Sequence, residues 1–219
     1  MAQPDPAGTT YGLTELPEGS KLRSVTAIPA EVAGRRALRV ELTDAVTLKG
    51  QPGVDYVDMP TFVIIPGGFT NGTIEVDILS RLNGKGPADA RAFAGVAYRV
   101  TADADRFEAV YLRPLNGRKA NPPSPRDQRA IQYFAYPYWK FDRLREQYPG
   151  DYEAGADIGP DEWITLTLDI DHTRLTATVD GTETLTLNET KAAPVAGAVG
   201  LFVDIGSESF FSNLKITPR

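Results

Sequence analysis

The sequence predicts an all-β fold, an antiparallel β-sandwich or jelly roll, on three observations. Apolar residues recur with a period close to two almost throughout, as in half-buried strands. The alternating runs are short and recur roughly every 8–12 residues, with turn signals between them. Asp180-Gly181 stands between two such runs and reads as a tight hairpin turn, because glycine takes a positive φ at little cost.

The elements follow in order. Residues 36–42 place Leu38, Val40 and Leu42 on one face and Arg39 and Glu41 on the other; residues 62–65 give a short second run. In 73–78 the residues Ile74, Val76 and Ile78 point inward, so Glu75 and Asp77 share the opposite face, roughly 7 Å apart by the strand rise. Strands are predicted at 93–101 and 106–113 with a turn at 103–105, then at 163–169, 175–179, 184–187, 198–204 and 210–217. One stretch breaks the rhythm. Residues 114–160, with Pro122-Pro123-Ser124-Pro125 and then six aromatics from Tyr133 to Phe141, read as a loop insertion over one sheet face. Within it 139–147 has the makings of a short helix stopped by Pro149. At 219 residues the chain fits one domain, residues 1–219, with 1–20 peripheral.

Composition excludes several chemistries. There is no cysteine, hence no disulfide scaffold, Cys-ligated zinc or Cys nucleophile, and the single histidine, His172, rules out a multi-imidazole metal centre. His172 itself falls in a turn and reads as a surface residue. The net charge of −6 argues against nucleic acid as a partner, and no apolar stretch is long enough to insert in a membrane. Residues 1–6 lack the basic head and apolar middle of a signal peptide, which leaves a cytoplasmic protein or a mature N-terminus behind an added Met. No cofactor is expected. A structural calcium is compatible with the pairs Asp55/Asp58, Asp103/Asp105 and Asp169/Asp171, none of which has the twelve-residue loop pattern, so no metal ligands are assigned.

Charge is uneven. Between Arg113 and Arg145 eight basic residues face two acidic ones, on an otherwise acidic chain. Either this basic, aromatic-rich stretch is a site for something anionic or flat-faced, or its arginines pair with carboxylates and pin the loop down. Strand alternation predicts that Glu75, Asp77, Arg99, Tyr111 and Arg113 line one face beneath it. Carboxylates and arginines there would bind sugar hydroxyls, and aromatic rings would cover the sugar's apolar face. Trp139 is either a stacking platform or the loop's hydrophobic anchor; Trp163, opening an alternating strand, reads as packing.

Residues 94–100 (AGVAYRV) and 107–114 (FEAVYLRP), with Ile131-Gln132-Tyr133, Glu162-Trp163-Ile164, 197–202 (GAVGLF) and 211–216 (FSNLKI), carry a resemblance over about residues 60–217. The chain resembles concanavalin A-like sandwich domains of the DUF1080, or 3-keto-disaccharide hydrolase-like, type, related to glucanase- and lectin-like domains. The resemblance implies two curved sheets, an oligo- or polysaccharide partner on the concave face, and a secreted or periplasmic setting, with a cytoplasmic one left open. The run Glu75-Val76-Asp77-Ile78-Leu79-Ser80 is similar to the Glu-x-Asp-x-x-Glu strand of family 16 glucanases, but Ser80 stands where the acid/base carboxyl is needed. The expected function is saccharide binding on the concave sheet face, with glycoside hydrolysis as its enzymatic form and Glu75 and Asp77 as acid/base candidates; the departure at Ser80 counts against the retaining route. Arg99, Arg113, Gln132 and Tyr133 would orient the substrate; Tyr111 and Trp139 would stack against it. A non-catalytic carbohydrate-binding module is the alternative from another class. A polysaccharide lyase acting on an anionic glycan, with Tyr111, Tyr133 or Lys140 as base, is the other.

Overall fold

The computed structural model describes residues 8–219; the reading of residues 1–6 lies outside the described residues. In chain order the elements are β1 (Thr9–Tyr11), β2 (Lys21–Arg23), β3 (Val25–Val32), β4 (Arg35–Leu42), α1 (Asp44–Lys49), β5 (Phe62–Phe69), β6 (Gly72–Leu82), β7 (Ala94–Val100) and β8 (Phe107–Leu112). They continue with β9 (Ile131–Tyr136), α2 (Phe141–Gln147), β10 (Glu153–Ala154), β11 (Ile164–Asp171), β12 (Arg174–Val179), β13 (Thr182–Leu187), β14 (Gly197–Val203) and β15 (Ser207–Pro218). Two antiparallel sheets form the predicted sandwich. One runs β13-β12-β11-β6-β15-β4-β3, with β1 added against β15; the other runs β10-β9-β8-β7-β14-β5-β2.

The eight-stranded sheet follows the alternation read from the sequence. Ile74, Val76 and Ile78 of β6 are buried with Leu166 and Leu168 of β11 and Leu38 and Val40 of β4, while Glu75 is exposed. The hairpin β12–β13 turns at Asp180-Gly181, both with positive φ (47° and 77°). Strand β3 escaped the sequence reading because it is an edge: it alternates weakly and carries Pro29, which only an edge strand tolerates well.

The seven-stranded sheet behaves differently. Every residue of β7 and β8, and all of β9 except Tyr136, is buried, so these three strands are covered on both faces. Here the reading of 114–160 as a loop needs correction. Ile131–Tyr136 is a full strand paired with β8 from Phe107↔Tyr136 to Leu112↔Ile131, and β10 extends the sheet beyond it. A strand buried on both sides reads as a continuous apolar run, so its period-two signal vanishes. The helix in this stretch begins at Phe141 rather than at 139, because Trp139 still bridges back to Ala135.

Pairing separates the two faces of this sheet. Val96, Val110, Tyr133 and Leu201 are in register on one; Phe107, Ala109, Tyr111, Gln132, Phe134 and Phe202 share the other. The second face is an aromatic layer, with Tyr111 5.8 Å from Phe134 and 5.4 Å from Phe202 between ring centroids. Gly95, opposite Tyr111, makes room for that ring: a Cβ there would lie 2.7 Å from the Tyr111 Cβ. The segment from Pro114 through α2, together with residues 52–58 and 87–93, covers this layer and leaves a cleft at one end. Among the described residues, no helix is long and apolar enough to cross a membrane.

Candidate functional site

The cleft encloses about 510 Å³. Its floor is the end of β8, where Tyr111 and then Arg113 leave the sheet, and its walls carry Tyr56, Phe93, Phe141 and Asn116. Arg113 is 4% exposed and fixed among aromatic rings, its guanidinium carbon 4.9 Å from the Phe93 centroid and 5.1 Å from that of Tyr111. One terminal nitrogen donates to the Tyr111 hydroxyl (2.7 Å) and the other lies 3.6 Å from Glu153. Three buried polar atoms around this cleft have no partner among the described residues: Asp58 Oδ1, Arg113 Nε and Asn116 Oδ1.

Two buried aspartates stand beside the guanidinium. Asp204, just after β14, accepts from the backbone amides of Val57 (3.0 Å), Asp58 (3.2 Å) and Ile205 (2.7 Å). These bonds hold Val57 and Asp58 at φ of 71° and 54°. For a β-branched residue such as Val57 that conformation is strained, and strain of this kind persists only where surroundings enforce it. Asp58 in turn accepts from the Phe141 amide (2.7 Å), which fixes the start of α2 over the cleft. Burial pushes the Asp58 carboxyl up to about 6 and the neighbouring Asp204 charge adds to the rise, against the Phe141 amide, Arg113 and the Tyr111 hydroxyl. Asp204 is also raised by burial, with its amide bonds opposing.

Behind one wall Glu153 gathers three arginines. Arg145 meets it through two bonds (3.0 and 2.6 Å), Arg129 lies at 3.2 Å and Arg113 at 3.6 Å. Both readings of the basic stretch thus have residues to their name: part of it pins 129–145 to β10, and part faces the cleft.

The structure divides the residues expected to act together. Tyr111 and Arg113 line the cleft, with Gln132 paired opposite Tyr111 in the sheet, where its amide nitrogen donates to the carbonyls of Tyr133 (2.7 Å) and Tyr152 (3.0 Å). Arg99 and Tyr133 sit elsewhere. Arg99, at φ 53°, turns into the protein and donates to the Thr70 carbonyl (2.8 Å), the His172 carbonyl (2.7 Å), Asn71 (3.2 Å) and Glu108 (2.7 Å). Tyr133 donates to the other Glu108 oxygen (2.5 Å). Glu108 is the second residue of β8 and Arg113 follows its end, about 17 Å apart at the strand rise.

Trp139 borders a smaller cavity of about 240 Å³ near Glu108, with the Arg143 guanidinium 4.2 Å from its ring centroid. Tyr138 next to it is 72% exposed.

The expectation of one shared face for Glu75, Asp77, Arg99, Tyr111 and Arg113 is corrected. Glu75 and Asp77 belong to β6, on the outer face of the other sheet. There Asp77 bonds Arg35 (2.8 Å), Thr165 (2.7 Å) and Asn213 (2.8 Å), and Glu75 accepts from Thr167 at 3.2 Å. Alternation within a strand tells which residues share its face but not which sheet the strand joins. His172 is a surface residue, its side chain 77% exposed. Among the described residues, no group of three or more His, Cys, Asp or Glu could hold a metal ion.

Sequence reasoning missed Asp204, Phe93, Asn116 and Phe141 as cleft residues, and noted Asp58 only as an oxygen donor for calcium. No local pattern marks them, since loops from four parts of the chain bring them together. Arg126, Arg129 and Arg145 were within the basic stretch, and that excess was the usable signal.

No family model and no curated protein matches this sequence. Solved structures do resemble it. A Bacillus subtilis protein of unknown function with a galectin-like fold superposes with a TM-score of 0.54 at 10% identity, covering 98% of this chain and 99% of that one. The carbohydrate-binding module CBM66 from Bacillus subtilis gives 0.53 at 12% identity over 89% and 96% of the two chains. The Crh5 transglycosylase in complex with NAG gives 0.51 at 11% identity over 96% and 84%. At these identities the likeness shows the fold, a concanavalin A-like or galectin-like sandwich.

Proposed function

We propose that this chain binds a saccharide in the cleft over the aromatic face of its seven-stranded sheet. One observation carries the reading: Asp58 Oδ1, Arg113 Nε and Asn116 Oδ1 are buried without partners, among the described residues, around one aromatic-walled cleft. Buried polar atoms are nearly always paired, and an unpaired set of two acceptors and a donor suits hydroxyls, which both donate and accept. The volume lies in the range of small-ligand sites. The names of a carbohydrate-binding module and a transglycosylase among the similar structures support the same class of ligand, as does the resemblance to 3-keto-disaccharide hydrolase-like domains. A secreted or periplasmic setting accords with it.

Glycoside hydrolysis is the second reading, favoured by Asp58: a carboxyl held near 6 beside a second carboxyl is suited to donate a proton to a leaving group. Calorimetry and product masses on a panel of neutral and uronate-bearing oligosaccharides test both. Binding is expected, with at least a tenfold loss in Asn116→Ala and in Phe141→Ala; unchanged binding in both, or none at all in the parent, overturns the site. If products form, Asp58→Asn is expected to keep binding and stop turnover. Glu75→Gln tests the carboxylates on the other sheet. It is expected to change stability by less than about 0.5 kcal/mol, because its side chain is exposed. Loss of turnover in that variant would move the chemistry to β6.

A further inference from the structure

We infer that the saccharide taken by this cleft is anionic, a uronate- or sulfate-bearing glycan whose negative group is met by arginines at the rim; this rests on the saccharide reading above. Five arginines line the cleft (Arg91, Arg113, Arg126, Arg129 and Arg145) on a chain whose net charge is −6.

What their charges are paired with decides the matter. A single carboxylate, Glu153, serves three of them. Arg145 takes it through two bonds, which leaves Arg129 one contact at 3.2 Å and Arg113 a long one at 3.6 Å. Arg91 reaches only backbone, the carbonyls of Ala88 (3.1 Å) and Ala90 (2.7 Å), and neither it nor Arg126 has a carboxylate partner among the described residues. The acids of the floor answer this surplus only at Arg113, beside which Asp58 and Asp204 stand; neither forms an ion pair with Arg91, Arg126 or Arg129 among the described residues. Both oxygens of Asp204, and one of Asp58, accept from backbone amides. Asp89, the remaining carboxylate in the lining, is exposed and forms no ion pair among the described residues.

Guanidiniums gathered at a half-buried rim repel one another, and their planar forks match carboxylate and sulfate oxygens. An incoming anion would supply the counter-charge that Arg91 and Arg126 lack among the described residues. Arg113, held among Phe93, Tyr111 and Phe141, is already oriented, so ordering it costs a ligand little.

Matched pairs test this. Oligogalacturonate and its methyl ester, and a sulfated galactan oligosaccharide and its desulfated form, are titrated calorimetrically in ~50 and ~500 mM NaCl, concentrations that span the change from weak to strong screening. The charged member of a pair is expected to bind at least tenfold more tightly, and to weaken by a similar factor at the higher salt. The double variant Arg91→Gln/Arg126→Gln, altered at half-buried side chains that form no ion pair among the described residues, is expected to bring the charged-to-neutral affinity ratio close to one, whatever its affinity for the neutral member. Neutral members binding as well as charged ones overturn the inference and leave the saccharide reading standing. A charge preference that survives in the double variant overturns the assignment to this rim. Binding of neither member of either pair overturns the anionic class, and the wider neutral panel then decides the saccharide reading.

Discussion

Arg99→Ala is expected to cost about 3–5 kcal/mol of folding stability, the loss typical of breaking a buried ion pair from one side. Arg99 is 1% exposed, and its guanidinium satisfies two backbone carbonyls, an amide oxygen and the carboxylate of Glu108, itself 1% exposed. Truncation leaves Glu108 relying on the Tyr133 hydroxyl, with that of Thr190 nearby, in a place where burial already raises its pKa and Tyr133, Arg99 and Thr190 hold it down. Without Arg99 the folded-state pKa rises further above the unfolded value. The penalty therefore grows as the pH climbs from about 4 toward neutrality, and is smallest in acid. Urea unfolding of parent and variant at pH 5 and pH 8 measures it. A cost below about 1 kcal/mol at pH 8 would mean that Glu108 is not carried as a buried charge. The double variant Arg99→Met/Glu108→Gln is expected to recover more than half of the loss, because the glutamine amide keeps an acceptor for Tyr133 and removes the unpaired charge.

The same residue shows what was legible in the sequence. The sandwich, most of its strands and the inward residues of β4 and β6 could be read, because a half-buried strand writes its two faces into alternate positions. Alternation put Arg99 on the site face, opposite Val96 and Tyr98, as a substrate-orienting residue, and a local positive φ turns it into the protein instead. The strand β9 was hidden because both of its faces are covered, and β3 because it is an edge. Tyr111 and Arg113 were found as candidates, since each stands at the end of a clear strand beside a conspicuous aromatic and basic stretch. Their partners Asp58 and Asp204 could not be found that way. They are 146 positions apart, and they meet only because the loop after α1 folds back over the end of β14.

Asp58→Asn is expected to stabilise the protein at pH 7.5, by up to about 3 kcal/mol. The carboxyl is 1% exposed, and its pKa of about 6 in the folded protein stands above the ordinary 3.8. The native state therefore holds this proton more tightly than the unfolded chain does. The resulting stabilisation is fully present below about pH 3.8 and is lost as the pH rises to about 6, so near neutrality the fold carries a buried charge at a net cost. Asparagine imitates the protonated form: its carbonyl still accepts from the Phe141 amide, and no charge faces Asp204. The difference in unfolding free energy between variant and parent should accordingly be near zero at pH 4, grow through pH 5 and 6, and level off above 7. A variant less stable than the parent at pH 7.5 would mean that the carboxylate is offset by contacts the asparagine cannot make, and that Asp58 is structural. A stabilised variant would show the opposite. An aspartate kept where asparagine folds better, lining a cleft with one oxygen unpartnered, is maintained for what enters the cleft rather than for the fold.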